Sequence, residues 1–443
     1  MKHTAPILKK GPALWEKAKK CIPGGNQLLS KRSEMFLPKL WPSYYTKAHG
    51  IRVTDLDGNT FTDMSIMGIG ACILGYADPD VNKAVKDAID AGSASTLNSP
   101  EEVDCAELLL TLHPWAQMAR FARSGGEAMA IAVRIARARS GKDAIAFCGY
   151  HGWHDWYLSA NLASDKNLDG HLLPGLAPKG VPRGLLNTAF PFHYNKIEEL
   201  EALVKKHKNI GVIVMEPFRS QPPENNFLEN VRKIADRIGA VLIFDEITIG
   251  WRLNVGGAHL MLGVTPDIAV FGKAMSNGFP MAAIIGKRGV MQAAQQTFIS
   301  STQWTERIGP AASVATIKKL KQCNVPRHLR TIGEKIMTGL KQVSADCSLK
   351  ITLHGPAAKP SFSFDYGAQS QHVKTLFTQE MLMRGFLAGN LIFVTYAHTK
   401  KHVEAYLAAC EEVFHLIKKA VDQKKVKKLL QGPVAHSGFQ RLI

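Results

Sequence analysis

The sequence lacks any uninterrupted apolar run of about eighteen residues, the length that a membrane-spanning helix needs. Its seven cysteines are scattered and include no C-x-x-C pair, which excludes the usual paired-cysteine zinc and redox motifs. The first ten residues contain no apolar segment, so we expect no secretory signal. Together these absences predict a cytoplasmic protein with reduced thiols and no membrane partner.

Acidic residues are also few: 37 aspartates and glutamates stand against 55 lysines and arginines, which gives a formal net charge of +18. This excess permits acidic ligands or nucleic acid, but charge alone selects neither. Part of it is local, because six lysines lie within residues 418–428. No nucleic-acid fold signature or basic-aromatic stripe is present, so we expect no nucleic-acid partner.

Short apolar runs alternate with helix-like segments through the middle of the chain, and glycine, proline or charge bounds each run. Such runs are typical of strands that are buried on both faces. We therefore predict an α/β fold with a mostly parallel sheet covered by helices. The predicted strands are residues 143–148, 211–216, 241–245, 268–271 and 282–286, and the predicted helices between them are residues 127–139 and 227–238.

The flanking regions have a different pattern. Residues 51–63 read as a hairpin that turns at Asp57-Gly58. A helix is expected to begin at Asp78-Pro79, with an apolar stripe formed by Val81, Ala84, Val85, Ala88 and Ile89. The remaining predicted elements are helices at residues 330–343 and 403–421 and strands at residues 361–364 and 392–395.

These patterns divide the 443 residues into three parts. We predict an N-terminal segment over residues 1–60 that packs with a small domain. A large domain is expected over residues 61–312, and the small α+β domain over residues 313–443.

Ligands of parallel α/β sheets bind beyond the carboxyl ends of the strands, so the residues that follow each strand matter most. Ser124, Gly125 and Gly126 lead into a predicted helix, and free backbone amides at such a helix start suit a phosphate. A plain tight turn with Ser124 as N-cap explains this stretch equally well. Tyr150 follows the next strand, beside a glycine, where its ring is placed to lie against a planar ligand.

Histidines near that tyrosine raise the question of a metal site. His151, His154 and Asp155 form an H-x-x-H-D pattern that offers three donors. This spacing is not a zinc signature without further cysteine or histidine partners. We therefore predict no bound metal.

Two reactive side chains follow the next predicted strands. Asp245 ends a buried strand, and a carboxylate there needs a cation or strong donors to offset its desolvation. Lys273 leaves an apolar strand between small residues, the setting in which a desolvated amine forms a Schiff base. An anion cradle, an aromatic ring, an aspartate and a lysine at successive strand ends together indicate a cofactor site.

In this order along the chain, the motifs resemble the class III pyridoxal-phosphate (PLP) aminotransferases, most closely the branch that contains glutamate-1-semialdehyde 2,1-aminomutase. The most specific part is the Asp-Glu…Gly-aromatic-Arg block at residues 245–252, followed by Gly272-Lys273. The resemblance covers nearly the whole chain and implies the PLP-dependent transferase fold type I with PLP as cofactor. The other matching stretches are residues 23–25, 55–58, 73–75, 124–128, 150–152, 216–217 and 397–399.

The resemblance implies a role for each strand-end residue. Lys273 would carry PLP as an internal aldimine, release it to an incoming amine as an external aldimine, and then move the proton of the substrate carbon. Asp245 would pair with the pyridine nitrogen of the cofactor and keep it protonated. Both residues are therefore expected to be catalytic.

The same resemblance implies further cofactor contacts. Ser124, Gly125 and Gly126 would bind the phosphate, while Tyr150 and Ile247 would cover opposite faces of the ring.

Four more residues are implied at the edge of the site. Glu216 would support the floor of the cofactor pocket. Thr305 matches the family threonine that reaches the phosphate of the neighbouring subunit, which implies a homodimer with shared active sites. Arg32 and His151 are the candidate substrate residues.

The departures from the family concern the substrate more than the cofactor. Gly126 stands where the family usually has a hydroxyl residue, and Gly68-Ile69 stands where the aminomutase has Ser-Trp. Residues 390–392 replace an expected acidic residue, and the gating loop at residues 300–305 is altered. We therefore predict an aminotransferase that moves an amino group from an amino donor to a carbonyl acceptor. The alternative is the intramolecular transfer of glutamate-1-semialdehyde 2,1-aminomutase.

Overall fold

The structure is a computed structural model that describes residues 6–171, 173–218 and 220–440. Internal contacts divide the chain into two compact units. One unit combines the residues up to Asp78 with those from Arg327 onward, and the other contains Pro79–Pro326. The division at residues 60 and 312 stays a prediction.

The strands are numbered in chain order. They are β1 Tyr45–His49, β2 Arg52–Asp55, β3 Thr60–Met64, β4 Met118–Ala122, β5 Ala144–Cys148, β6 Ala189–Pro191, β7 Ile210–Met215, β8 Val241–Asp245, β9 Ile268–Phe271, β10 Ala282–Gly286, β11 Ile351–His354, β12 Ser361–Phe364 and β13 Phe386–Ala388.

The α-helices are numbered in the same way. They are α1 Lys10–Cys21, α2 Pro79–Asp90, α3 Pro100–Leu112, α4 Gly125–Ser140, α5 Asp155–Leu158, α6 Ile197–Lys206, α7 Phe227–Ile238, α8 His259–Leu262, α9 Arg288–Met291, α10 Ile308–Gln322, α11 Val325–Asp346, α12 Ser370–Met383, α13 Lys400–Asp422 and α14 Val426–Leu429. None of the helices in the described ranges combines the length and apolarity that crossing a bilayer requires.

A seven-stranded sheet forms the centre of the unit Pro79–Pro326, in the order β4-β10-β9-β8-β7-β5-β6. Only β10 runs against its neighbours, and every other pair of adjacent strands is parallel. The predicted mostly parallel sheet is therefore confirmed. All five predicted strands are present, and three of them have the predicted bounds.

The sheet is covered on both faces, and its strands β5, β7, β8, β9 and β10 are buried at every position. Along β8, Val241 and Ile243 belong to one apolar cluster with helix α4, whereas Leu242 and Phe244 belong to a second cluster with α6 and α7. Successive side chains of a strand point to opposite faces, so this division follows from the period of two. Because both faces of the sheet are buried, polar side chains that bind a ligand are expected at the strand ends.

The second unit contains a four-stranded sheet in the order β1-β2-β3-β13 and the separate pair β11-β12. The predicted hairpin is confirmed, since β2 pairs antiparallel with β3. Its turn is held by Asp55, whose Oδ1 accepts hydrogen bonds from the amides of Asp57 and Asn59 at 2.9 and 2.8 Å. Strand β13 then adds in parallel to β3.

Two sequence predictions were wrong. Residues 392–395 form no strand, because their amides bond alternately to different segments, Ile392 to Pro360 and Phe393 to Ser65. Ile89 is 52% exposed although it was expected in the buried stripe of α2. The stripe is narrower than predicted, and the buried residues of α2 are Val81, Val85 and Ala88.

A buried histidine makes the stability of the second unit depend on pH. His398 is fully buried, its Nε2 donates to the carbonyl of Asp63 at 3.0 Å, and its Nδ1 accepts from the amide of Thr395 at 3.0 Å. Burial lowers the pKa of His398 from 6.5 to about 4. The neutral ring is therefore favoured in the folded state, whereas the unfolded chain takes up a proton near its ordinary pKa.

We expect the apparent free energy of unfolding to fall as the pH drops from 6.5 towards 4, with His398 contributing up to about 3 kcal/mol of that loss. His398→Gln should be less stable at pH 7.5 but should show a shallower decline, measured as the urea midpoint against pH. His415→Gln on the exposed side of α13 is the matched control and should follow the wild type. Equal pH slopes for His398→Gln and the wild type would contradict this assignment.

Candidate active site

The predicted site residues follow neighbouring strands of the seven-stranded sheet. Tyr150 follows β5, Glu216 follows β7, Asp245 ends β8 and Lys273 follows β9. These four strands are adjacent and parallel, so their carboxyl ends share one edge. Strand β4 also ends at this edge, because it is antiparallel to β10, as β9 is, and Ser124 follows it.

Asp245 is 4% exposed and forms a buried pair with His151. The Oδ2 atom of Asp245 lies 2.8 Å from His151 Nδ1, and its Oδ1 accepts from the amide of Ile247 at 3.0 Å. The other ring nitrogen of His151 lies 3.1 Å from the carbonyl oxygen of Cys148. Each ring nitrogen of the imidazole therefore has an oxygen partner within hydrogen-bond distance. Because both ring nitrogens of His151 are engaged, the structure gives it a place behind Asp245 instead of the predicted substrate contact.

Lys273 lies at the end of the adjacent strand in a left-handed conformation, with φ +44°. This region is unfavourable for a residue with a long side chain, at roughly 1 kcal/mol or more. Its Nζ donates a hydrogen bond to the hydroxyl of Thr248 at 2.9 Å. The strained backbone and the threonine together direct the amine.

Ile247 links the lysine turn to the helix start. A Cβ atom built on Gly125 would lie 3.0 Å from Ile247 Cδ1, and one built on Gly272 would lie 3.6 Å from Ile247 Cγ2. The isoleucine side chain therefore contacts both the first residue of α4 and the residue before Lys273. This contact brings the predicted phosphate cradle, aspartate and lysine into one site.

The start of α4 has amides available for an anion. Ser124 is the N-cap, its Oγ accepts from the amide of Glu127, and Glu127 Oε2 accepts from the amide of Ser124 at 2.9 Å. The N-cap interpretation of Ser124 is thus confirmed, and it leaves the amides of Gly125 and Gly126 without a protein acceptor in the described part of the chain. Two open amides at the positive end of a 16-residue helix suit a phosphate group.

Tyr150 and Glu216 lie at the same edge of the sheet. Burial, together with the negative charge of Asp245, raises the pKa of Tyr150, so its hydroxyl stays protonated. The two side chains are therefore close enough to interact electrostatically. A Cβ atom on Gly149 would lie 3.1 Å from Glu216 Oε2, which places the Glu216 carboxylate under the turn that carries Tyr150.

Thr305 lies in an exposed loop before α10. Its hydroxyl donates to the carbonyl of Thr302 at 3.0 Å. The two residues after the threonine are anchored by ion pairs: Glu306 Oε2 lies 3.2 Å from Arg123 Nε, and Arg307 Nη2 lies 2.7 Å from Glu101 Oε1. The loop is therefore held at its base while Thr305 faces outward.

Arg32 belongs to the other unit. Its Nη1 donates to the carbonyl of Gln440 at 3.2 Å, and its guanidinium carbon lies 6.0 Å from the centre of the Phe439 ring. The C-terminal tail thus contacts the arginine that sequence reasoning named as a substrate residue.

Sequence reasoning missed the network that holds the segment after β8. Glu246 is fully buried and accepts from the amides of Ala258 and His259 at 2.9 and 3.0 Å, and its Oε1 lies 2.8 Å from His259 Nδ1. The indole of Trp115 donates to His259 Nε2 at 2.9 Å. These bonds join the two ends of the segment that carries Ile247 and Thr248. In the sequence, the Asp-Glu doublet is the one feature that pointed to this network.

No cluster of three or more metal-ligating side chains occurs among residues 6–171, 173–218 and 220–440. His151 and His154 face different partners, Asp245 and Gly126.

Comparison with known proteins agrees with this geometry. Residues 38–353 match the family "Aminotransferase class-III". The chain belongs to the class III aminotransferases. It is 30% identical to the 3-aminobutyryl-CoA aminotransferase of Cloacimonas acidaminovorans (strain Evry), over 93% of this chain and 98% of that protein.

Other relatives include aminomutases. The chain is 31% identical to the glutamate-1-semialdehyde 2,1-aminomutase of Methylacidiphilum infernorum (isolate V4), over 79% of this chain and 82% of that protein. A solved structure of the FumI protein of Sphingopyxis sp. MTA144, in its PLP internal aldimine form, superposes with a TM-score of 0.84. It is 24% identical and covers 93% of this chain and 97% of that one, which shows that the fold is shared.

The residues of this class III aminotransferase fit PLP, its cofactor. The open amides of Gly125 and Gly126 suit a phosphate, and the buried carboxylate of Asp245 suits a protonated pyridine nitrogen. Lys273 supplies an amine on the adjacent strand end. Lys273 and Asp245 therefore lie at adjacent strand ends, at the same edge of the sheet as the start of α4.

Breaking the buried pair should destabilise the aminotransferase strongly. His151→Leu leaves the Asp245 carboxylate with the amide of Ile247, and removing one partner of a buried ion pair costs about 3–5 kcal/mol. We expect a lower urea midpoint for the cofactor-free protein.

An exposed pair of the same chemistry provides the control. His193 Nδ1 lies 2.9 Å from Glu199 Oε2, with side chains 57% and 40% exposed. His193→Leu should cost less than about 1 kcal/mol. The double variant H151L/D245L should lose less than the two single variants together, and strict additivity would count against a coupled pair.

Proposed function

We propose that the protein catalyses amino transfer from an amino donor to a carbonyl acceptor, with Lys273 and Asp245 as the catalytic residues. The observation that carries this proposal is their position at the ends of adjacent parallel strands, beside the open amides of α4. An amine, a buried carboxylate and an anion cradle are the three groups that PLP chemistry requires.

Lys273 serves as the base and acid of the reaction. PLP, when bound, withdraws electrons from the substrate carbon next to the amino group and makes its proton removable. The Lys273 amine takes that proton and returns it, and Thr248 holds Nζ at 2.9 Å in the direction of the site. The strained φ of +44° fixes the point from which the side chain extends.

Asp245 holds a proton on the pyridine nitrogen. The carboxylate is buried, so its charge acts in a medium of low polarity, where a charge-assisted hydrogen bond is worth roughly 1.5–3 kcal/mol. His151 orients this carboxylate through the contact of 2.8 Å. Tyr150 and Ile247 cover the two faces of the ring, and Glu216 supports the turn beneath Tyr150.

Intermolecular transfer is favoured over the intramolecular reaction. Gly68 and Ile69 stand at the position of the Ser-Trp pair of the aminomutase, and Asn390 stands near the position of an acidic residue. Arg32 is the candidate anchor for a substrate carboxylate. Its Nε is buried without a hydrogen-bond partner in the described ranges, so it retains a donor for an anion.

The protein acts as a homodimer in the cytoplasm. The strongly exposed apolar side chains of the unit Pro79–Pro326 include Leu97 at 80%, Val103 at 59% and Phe298 at 83%. Apolar surface of this kind supports an interface with a second copy. All seven cysteines are free thiols, which supports a reducing compartment.

The decisive measurement is the product. We expect the protein with PLP to convert the amino donor into its carbonyl compound and the keto acid or aldehyde into its amine. Chromatography of both products measures this exchange. Lys273→Ala should lose at least about a thousandfold in rate, because the proton-transfer group and the covalent anchor are both removed.

Lys287→Ala is the matched control, since Lys287 also follows a strand but pairs with Asp267 at 2.7 Å. This variant should keep the rate of the wild type. Efficient conversion of glutamate-1-semialdehyde to 5-aminolevulinate, with no exchange between separate donor and acceptor, would instead support the aminomutase.

Shared active sites make a complementation experiment possible. In a homodimer in which Thr305 serves the partner's phosphate, neither Lys273→Ala nor Thr305→Glu alone retains an intact site. A hybrid of the two variants contains one site with a wild-type lysine and a wild-type threonine. We expect mixing after mild dissociation to restore up to about a quarter of wild-type activity, since half of the dimers are hybrids and each has one of two sites.

Two copies of the same variant, dissociated and remixed, provide the control and should stay inactive. If sedimentation shows that hybrid dimers have formed and these dimers are inactive, the active sites are not shared.

A further inference from the structure

An unpaired ring nitrogen lies beside the first turn of α4. His154 Nε2 is buried and has no hydrogen-bond partner within residues 6–171, 173–218 and 220–440. A buried polar atom left without a partner is destabilising, so such atoms in native proteins usually meet a ligand or water.

The nitrogen occupies the space that a side chain at Gly126 would need. A Cβ atom built on Gly126 would lie 3.1 Å from His154 Cδ2 and 3.2 Å from His154 Nε2. Gly126 therefore contributes only its backbone amide to the cradle, and the imidazole lies over it.

A second glycine allows this approach. Gly152 has φ +107°, and a Cβ atom on it would lie 3.3 Å from the Cα atom of Gly126. The segment between β5 and α5 thus passes directly against the first turn of α4. No other residue combines that backbone conformation with so little volume.

The imidazole is also held in orientation. The ring of Trp153 stacks on it with centres 4.3 Å apart and an angle of 25° between the planes. The carbonyl of His154 accepts from the amides of Tyr157 and Leu158 at 2.9 and 3.1 Å, which fixes its backbone. The ring nitrogen is therefore already in place before a ligand arrives.

The described part of the chain offers this nitrogen no acceptor. The Glu127 carboxylate on the same turn accepts from the amides of Arg123 and Ser124 and from the Ser124 hydroxyl through Oε2. The nearby charges of Glu127 and Asp155 raise the pKa of His154, but burial outweighs them and lowers it. A dianionic phosphate at the two open amides would add a further charge in favour of the protonated ring.

We propose that His154 Nε2 donates a hydrogen bond to the phosphate group of PLP and completes, with the amides of Gly125 and Gly126, its binding cradle. The inference rests on the proposed function, because it assigns one more contact to the same cofactor. His154 is thus a cofactor-binding residue, and Gly126 is required because it makes room for the ring.

The experiment compares PLP with pyridoxal, which lacks the phosphate. We expect His154→Ala in the full-length protein to weaken PLP about tenfold, equivalent to about 1.4 kcal/mol, in equilibrium dialysis. Its affinity for pyridoxal should stay that of the wild type, and the ³¹P resonance of bound PLP should shift. His154→Gln keeps an N–H donor and should lose less, and His193→Ala, an exposed histidine, is the control.

A double substitution tests whether the His154 ring and a side chain at Gly126 compete for the same space. Gly126→Ser alone should weaken PLP, because its side chain meets the His154 ring. In H154A/G126S the serine has room, so its hydroxyl should recover part of the affinity lost in His154→Ala. Far-UV circular dichroism and the urea midpoint verify that each variant is folded.

Unchanged PLP affinity in folded His154→Ala, or an equal loss for PLP and pyridoxal, would overturn the inference. The proposed function is tested separately by borohydride reduction of wild-type protein with PLP. Stable labelling of Lys273 in the wild type supports it, whatever His154→Ala does, and absence of labelling sinks it.

Discussion

Parallel strands bring their carboxyl ends to one edge of a sheet, and the site depends on this constraint. Strands β9, β8, β7 and β5 are neighbours in this order, so residues that are far apart in the chain follow adjacent strands. Asp245 and Lys273 come from two such ends. Only the antiparallel β10 interrupts the series, and it still leaves the end of β4 at the same edge.

Burial of charge then determines what surrounds these ends. Asp245 and Glu246 are consecutive carboxylates in an apolar region, and each has its own histidine, His151 and His259. An unpaired buried carboxylate is costly, and each of these acids is paired with a buried histidine. The Asp245 pair lies at the strand ends that carry the predicted site residues. The Glu246 pair joins the two ends of the segment between Glu246 and His259, which carries Ile247 and Thr248.

Glycines complete the site by leaving space. In the sequence, Gly125 and Gly126 indicate a turn or a phosphate loop, and nothing in it separates these two interpretations. In the structure Ser124 caps the helix, and the glycines leave room for Ile247 and His154, which a Cβ atom at either position would crowd. This fit depends on which side chains from other strand ends contact the glycines. The periodicity of the sequence does not predict such contacts.

The sequence by itself determined the central strands, the order of motifs and the place of Asp245 and Lys273 at adjacent strand ends. Apolar runs bounded by glycine and charge suffice for this, since burial on both faces leaves few alternatives for a short β-branched segment. It misassigned residues 392–395, whose hydrogen bonds alternate between segments distant in the chain. Only the tertiary structure decided that His151 lies behind Asp245 and that His154 lies over Gly126. These are contacts between side chains from different crossovers, and their geometry exists only after the sheet has brought the strand ends together.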